Sequence, residues 1–107
     1  MNSREKGKRG ELEAAKVLKT YGSDARRGQQ YSGASGDADV VGLPGVHLEI
    51  KRVEKLNISE AMKQSIRDAR DGEMAVVMHR KNRETWLVTM PLRVFMILYK
   101  AWEKTRK

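Results

Sequence analysis

The chain of 107 residues contains no cysteine, and several other features that would define a function are absent as well. Without cysteine there is no disulfide, no thiolate zinc site and no cysteine nucleophile. The two histidines lack the spacing of a histidine metal site, and no glycine-rich segment has the spacing of a phosphate-binding P-loop. No apolar run approaches the roughly 20 residues that span a bilayer, and the N-terminus has no signal-peptide pattern. We therefore expect a cytoplasmic protein that does not enter a membrane.

Positive charge is what the chain has in excess. It carries 22 lysines and arginines against 14 aspartates and glutamates, which gives a formal net charge of +8. Lysine and arginine supply most of the sequence-independent affinity of proteins for nucleic acids, so this balance favours a polyanionic partner. A basic surface that serves only solubility is the alternative.

Apolar periodicity predicts a single folded domain over residues 1–107, although charged residues make up 34% of the chain. The predicted elements are, in order, a helix, a strand, a hairpin of two strands, a helix, two strands and a helix. Their approximate bounds are 3 or 6 to 21, 25–30, 39–42 with 46–51, 57–71, 74–79, 85–90 and 91 onward. This order predicts an α/β fold in which helices flank a mixed β-sheet.

Each predicted helix has an apolar face that we expect to pack against the rest of the domain. On the first helix this face includes Ala14, Ala15, Leu18 and Tyr21. On the second it includes Ile58, Ala61, Met62, Ser65, Ile66 and Ala69. On the last it includes Leu92, Phe95, Met96, Tyr99 and Trp102, and Val94, Ile97 and Leu98 widen it further. A domain this small has little core to cover such a surface, so we expect part of it to form a homodimer contact.

The segment 39–51 predicts a β-hairpin with a three-residue loop at 43–45. This pairing sets Asp39 opposite Glu49, and Lys51 shares their face because strand side chains alternate. The other face, which we expect to enter a core, carries Val40, Leu48 and Ile50. Two opposed carboxylates repel each other, and a divalent cation held by their oxygens, such as Mg²⁺, would offset the repulsion.

Glu11 lies in the middle of the apolar face of the first helix. A charge in that position usually has a partner, because burying an unpaired charge is costly. One interpretation is that Glu11 reaches solvent or an arginine near the start of the helix. The other is that it faces the site formed by Asp39 and Glu49.

These residues resemble the signature of the PD-(D/E)xK nuclease superfamily, an acidic residue followed by a hairpin and then Glu-x-Lys. Asp39, preceded by Ala38 where the pattern has proline, supplies the acidic residue, and 49–51 supplies Glu-Ile-Lys. Within the superfamily the chain is similar to small archaeal-type and phage Holliday junction resolvases. These open with Lys-Gly-x-x-aromatic-Glu, which 6–11 matches except that Gly10 stands at the aromatic position.

The resemblance covers residues 6–90 and implies a restriction-endonuclease-like core that cleaves DNA, including branched DNA, with Mg²⁺ or Mn²⁺. It implies a metal site formed by Glu11, Asp39, Glu49 and the Ile50 carbonyl, with Lys51 acting on the attacking water or on the charge of the transition state. A serine of the glycine-rich loop, Ser32 or Ser35, and Gln64 on the second helix would assist cleavage; a turn former and a surface glutamine are the alternatives. We expect the DNA backbone to contact Arg9, Arg26, Arg27 and Arg52.

Three functions remain open at this point. The first is a structure-selective DNA endonuclease, which acts on junctions or else on flaps, nicked DNA or ordinary duplex. The second is a DNA-binding module with the same fold but no turnover. The third is a small interaction protein in which the acidic residues form structural ion pairs with Lys51 or Arg52. Dependence of activity on a metal ion separates these possibilities.

Overall fold

The computed structural model describes residues 3–29 and 38–106, and the element order agrees with the sequence prediction. The helices are α1 (Ser3–Lys19), α2 (Ile58–Asp68) and α3 (Leu92–Thr105). The strands are β1 (Arg26–Arg27), β2 (Val40–Val41), β3 (Val46–Arg52), β4 (Met74–Arg80) and β5 (Leu87–Thr89). No helix among the described residues combines the length and the apolar character that crossing a bilayer requires.

Helix and strand ends account for most of the differences from the predicted bounds. The Asn57 side chain caps α2 as predicted, by accepting a hydrogen bond of 3.1 Å from the Glu60 backbone N–H. The helix ends earlier than predicted because Ala69 leaves the helical region, with φ −64° and ψ 138°. β5 is also shorter than predicted, since only three residues of the segment 85–90 pair with β4.

The five strands form one mixed sheet in the order β1-β2-β3-β4-β5. β2 and β3 form the predicted antiparallel hairpin, with Val40 opposite Leu48. β3 and β4 run parallel, because α2 connects them across one face of the sheet. β1 and β5 are the edge strands, and each pairs antiparallel with its neighbour. The predicted α/β architecture, a mixed sheet flanked by helices, is therefore confirmed.

The two faces of the sheet are covered by different helices. α1 packs on the face that carries Leu48 and Ile50, where its Ala14 and Ala15 are buried. α2 packs against β3 and β4 on the other face, where the buried Ser65 hydroxyl donates to the Val76 carbonyl over 3.2 Å. Since strand side chains alternate, His47, Glu49 and Lys51 point towards the α2 face.

Gly10 allows α1 to approach β3 closely. A Cβ atom added at Gly10 would lie 2.7 Å from the Cβ of Arg52, inside van der Waals contact. Added at Gly7, one turn earlier, it would meet no atom within 4 Å. The glycine at the position where the resolvase pattern has an aromatic residue is therefore required by the packing of α1 on the sheet.

The predicted burial of the helix faces is wrong at several positions. Tyr21 follows the end of α1 and is exposed, and Ile66 on α2 is also exposed. On α3 only Val94 is buried, and the predicted stripe is largely open to solvent. The reason is positional: among the described residues, α3 contacts the other elements only sparsely and is attached to the core through Val94.

Candidate active site

Asp39 and Glu49 lie side by side at the end of the hairpin, as the predicted register requires. The Asp39 backbone N–H donates to the Leu48 carbonyl over 3.1 Å, and its carbonyl accepts from the Gly28 N–H over 3.0 Å. Its carboxylate oxygen Oδ2 accepts a 2.9 Å hydrogen bond from the backbone N–H of Ile50. Asp39 is thus held by both neighbouring strands, with its side chain directed at β3 beside Glu49.

The surroundings of Asp39 disfavour its ionised form. Burial, followed by the charge of Glu49, raises the pKa of Asp39 to about 7 from its usual 3.8. The more distant Glu11 charge and a hydrogen bond with Glu49 act in the same direction, while the Ile50 N–H partly opposes them. Among the described residues, neither Asp39 nor Glu49 has a lysine or arginine partner. Near neutral pH, therefore, this pair of carboxyl groups retains a proton part of the time.

His47 belongs to the same cluster, although the sequence analysis assigned it no role. Its Nε2 lies 2.8 Å from Oε1 of Glu49, and both side chains are only 5% exposed. Its Nδ1 lies 3.9 Å from the Glu73 carboxylate. Burial lowers the pKa of His47, but the hydrogen bond and charge of Glu49, together with the charges of Glu73 and Asp68, outweigh it, and the net shift is upward. His47 therefore orients one oxygen of Glu49, and Glu49 in turn favours the protonated form of His47.

The sequence did contain a signal for this contact. His47 and Glu49 are two residues apart on one strand and so share a face. This observation predicts proximity, and the burial of both side chains, which the sequence does not show, favours the direct hydrogen bond over contacts with water.

Glu11 has the arginine partner that one of its two interpretations predicted. Its Oε1 accepts a 2.9 Å hydrogen bond from Nε of Arg27 on β1, and the Glu11 side chain is 14% exposed. Glu11 is also near enough to contribute to the raised pKa of Asp39. The two interpretations are thus both partly realised: Glu11 lies at the edge of the acidic cluster and is neutralised there by Arg27.

Lys51 and Gln64 line the same cavity on the α2 side of the sheet, which has a volume of about 370 Å³. The alternation of β3 places Lys51 on the same face as Glu49. α2 supplies Gln64, a half-buried residue one turn after the buried Ala61. Neither Asp39 nor Glu49 lines this cavity, and the roles of Lys51 and Gln64 in catalysis remain predictions.

The four arginines predicted to contact DNA have different environments. Arg26 is exposed, and its guanidinium donates to the Asp24 carbonyl over 3.2 Å and lies 3.5 Å from the Asp24 carboxylate. Arg9 is exposed on α1. Arg27 is bound to Glu11. Arg52 is bound within the protein by three side chains, those of Glu13, Glu54 and Asn82. Of these four side chains, those of Arg9 and Arg26 are the most exposed to solvent.

Arg52 also belongs to an ion-pair network that fastens α1 to the sheet. The Glu13 carboxylate accepts from Nε of Arg52 over 3.2 Å and from the Arg80 guanidinium at the end of β4. The loop serines Ser32 and Ser35 lie outside the described residues, so their role stays a prediction.

The carboxylates are chemically suited to a divalent metal ion. Mg²⁺ is commonly held by one or two carboxylates, with water and substrate phosphate completing the shell. Asp39 and Glu49 supply two adjacent carboxylates without a lysine or arginine partner among the described residues, and a cation would relieve the repulsion that raises the Asp39 pKa. Within 3–29 and 38–106, however, no group of three or more histidine, aspartate or glutamate side chains is arranged to hold a metal ion. Asp39 and Glu49 would therefore hold the metal ion as two carboxylate ligands. Glu11 does not join them as a third ligand, because its carboxylate binds Arg27.

Comparison of the chain with models of protein families, and with curated proteins, found no match.

Proposed function

We propose that the protein is a metal-dependent, structure-selective DNA endonuclease of the PD-(D/E)xK type, with a restriction-endonuclease-like core. The observation that carries the proposal is the pair of Asp39 and Glu49. Two carboxyl groups are held together in a partly buried site, without a lysine or arginine partner within residues 3–29 and 38–106, and Lys51 lies on the same strand face. Such an arrangement destabilises the free protein, and a binding-only surface near phosphate would gain nothing from it.

In this proposal Asp39 and Glu49 would hold Mg²⁺ or Mn²⁺, with the Ile50 carbonyl as a further ligand. When bound, the metal polarises a scissile phosphate and lowers the pKa of a bound water. The residues of the chain then have separate tasks. Ile50 N–H and His47 fix the orientations of the two carboxylates, at 2.9 and 2.8 Å respectively. The Lys51 ammonium orients the attacking water or stabilises negative charge on the phosphate oxygens.

Charge supports DNA as the substrate. The net charge of +8 favours binding to a polyanion. The exposed Arg26 lies on β1, next to β2, the strand that begins directly after Asp39. Contacts of this kind are made to the phosphate backbone and carry no sequence information. The similarity to junction resolvases favours branched DNA, and two active sites in a symmetric dimer would suit paired nicks across a four-way junction. Such an enzyme would act in the cytoplasm.

Cleavage of four labelled DNAs tests the proposal: a four-way junction, a flap, a linear duplex and a single strand. Each is incubated with Mg²⁺, with Mn²⁺ or with EDTA. Metal-dependent symmetric nicks confined to the junction would support a resolvase. Metal-dependent cutting of flaps or plain duplex would support the nuclease and remove the preference for junctions. Tight binding of all four DNAs with no cutting under any condition would refute the nuclease and favour the DNA-binding module.

A further inference from the structure

Positive charge predominates in the cavity of about 370 Å³ that Lys51 and Gln64 share. The charged side chains that line it are Lys51, Lys55, Glu60 and Arg67. The cavity lies between the end of β3 and one face of α2, because Glu60, Gln64 and Arg67 are spaced by four and three residues along that helix. The Glu60 carboxylate already lies 3.5 Å from the ammonium of Lys63, which does not line the cavity.

The protein itself does little to neutralise the cations of this cavity. Within residues 3–29 and 38–106, neither Lys51 nor Lys55 takes part in an ion pair. Arg67 lies 3.7 Å from the carboxylate of its neighbour Asp68, and both side chains are at least 40% exposed, so that solvent screens the pair. Arg52, in comparison, is bound by three side chains of the protein. An anion that enters the cavity would therefore meet cations that are still available to bind it.

The chemistry of the lining suits a phosphate group. Lysine ammonium and arginine guanidinium groups carry only hydrogen-bond donors, and they bind phosphate oxygens through charge-assisted hydrogen bonds. The amide of Gln64 can add a neutral donor between them. Lys55 and Arg67 are both exposed, so the cavity can be reached from solvent. Its volume lies near the lower end of the range for small-ligand sites, which suits a single phosphate with its sugar.

Lys51 connects this cavity to the carboxylate pair. It follows Glu49 by two residues on β3, so the two Cα atoms are about 7 Å apart. Successive phosphates of a nucleic-acid strand are separated by a distance of the same order. Since neither Asp39 nor Glu49 lines the cavity, a phosphate held there is not the one that the carboxylates would attack. We propose that Lys55 and Arg67 bind, in this cavity, the backbone phosphate next to the one that is cleaved, an inference that rests on the proposed function.

The first test measures binding of DNA in EDTA, where no metal-dependent cleavage occurs, by fluorescence anisotropy of a labelled four-way junction and a linear duplex. Arg67→Gln is expected to weaken binding of both DNAs about tenfold. Lys63→Gln is the matched control, since Lys63 lies one turn before Arg67 and both side chains are 70% exposed, but Lys63 does not line the cavity. The control is expected to stay within about twofold of wild type. Equal losses in the two variants would indicate diffuse attraction and overturn the assignment to the cavity.

The second test uses the salt dependence of binding to count the phosphates in the cavity. Each phosphate that a protein neutralises contributes about 0.9 to the slope of log K against log salt concentration. The double variant Lys55→Gln, Arg67→Gln is expected to reduce this slope by about 0.9, because both cations hold the same phosphate. An unchanged slope would overturn the phosphate contact, and a reduction of about twice that size would overturn the single shared phosphate. Release of DNA by millimolar inorganic phosphate at constant ionic strength, from the wild type but not from the double variant, would assign the cavity to a free phosphate ion instead.

Cleavage by the same proteins with Mg²⁺ separates this inference from the proposed function. Selective loss of binding in Arg67→Gln, in a protein that cuts no DNA, would refute the nuclease and leave a site for DNA phosphate. Metal-dependent cutting by the wild type, with equal binding by Arg67→Gln and Lys63→Gln, would leave the nuclease and overturn the site. Circular dichroism checks that the variants are folded, as expected for substitutions of exposed side chains.

Discussion

Asp39→Asn is expected to stabilise the metal-free protein at alkaline pH. The pKa of Asp39 is raised from 3.8 in an ordinary environment to about 7 in the folded protein. The folded state therefore binds the proton more tightly than the unfolded state, and folding stability falls as the pH rises from about 4 to about 7. Asparagine cannot ionise, but its amide can accept from the Ile50 N–H and donate to Glu49, so it imitates the protonated side chain.

The size of the effect follows from the shift. One pKa unit corresponds to 1.36 kcal/mol, so the ionisation of Asp39 costs the folded state about 4 kcal/mol once the pH exceeds 7. Between pH 5 and pH 8 the stability advantage of Asp39→Asn over wild type should grow by about 3 kcal/mol. This value is an upper bound, because side-chain relaxation and counterions relieve part of the repulsion.

Urea unfolding in EDTA at pH 5 and at pH 8 measures this difference. The matched control is Asp24→Asn, since the Asp24 side chain is 95% exposed. The control is expected to change stability by less than about 0.5 kcal/mol, equally at both pH values. An advantage of Asp39→Asn that does not increase with pH, or a loss of stability at pH 8, would refute the raised pKa and with it the electrostatic reasoning about the site.

Three further predictions concern the metal, His47 and the approach of α1 to the sheet. At pH 8, saturating Mn²⁺ should raise the melting temperature of the wild type but not that of Asp39→Asn, because in the proposed site the ion would bind the folded state through this carboxylate; equal shifts in both proteins would contradict the assignment. His47→Leu should weaken Mn²⁺ binding by about 10–100-fold in a calorimetric titration, whereas His47→Gln, which still hydrogen-bonds Glu49, should weaken it less; identical effects of the two substitutions would argue against an orienting role. Gly10→Ala should destabilise the fold by about 1–3 kcal/mol in urea unfolding because its Cβ meets β3, while Gly7→Ala should stabilise it by about 0.5–1 kcal/mol; the opposite ranking would refute the close approach.

Periodicity and turn residues predicted the element order and the hairpin register because both depend on local pattern. The Val40–Leu48 pairing follows from a three-residue loop and from the apolar side chains that must share one face. The proximity of Asp39 and Glu49 follows in turn from that register. The same reasoning places Lys51 on the face of Glu49, because side chains two residues apart on a strand point to the same face.

Contacts between distant parts of the chain could not be predicted in the same way. Glu13 binds Arg52 and Arg80, which lie 39 and 67 residues further along, and no local pattern encodes those pairs. The partner of Glu11 was left open between an arginine and the acidic site, and only the position of β1 decides that Arg27 reaches it.

The burial of α3 was mispredicted for a different reason. Apolar periodicity identifies a face that avoids water but not the molecule that covers it. On α1 the covering surface is the sheet of the same chain. On α3 only Val94 reaches that core, so the rest of the apolar surface is exposed in the single chain. The sequence predicts an excess of apolar surface on this helix and a dimer contact, but it does not predict that nearly the whole helix lies outside the core.

The most direct test of the central claim, that the Asp39–Glu49 site catalyses DNA hydrolysis, compares cleavage by Glu49→Gln and by Glu60→Gln under identical conditions. Both substitutions remove one negative charge, but Glu49 lies buried beside Asp39 whereas the Glu60 side chain is 68% exposed at the start of α2. Single-turnover cleavage of a four-way junction is measured with Mg²⁺. We predict that Glu49→Gln loses at least about 100-fold in rate while Glu60→Gln keeps the wild-type rate, since only Glu49 would hold the ion that activates water. Cleavage by Glu49→Gln at the rate of Glu60→Gln would contradict the account.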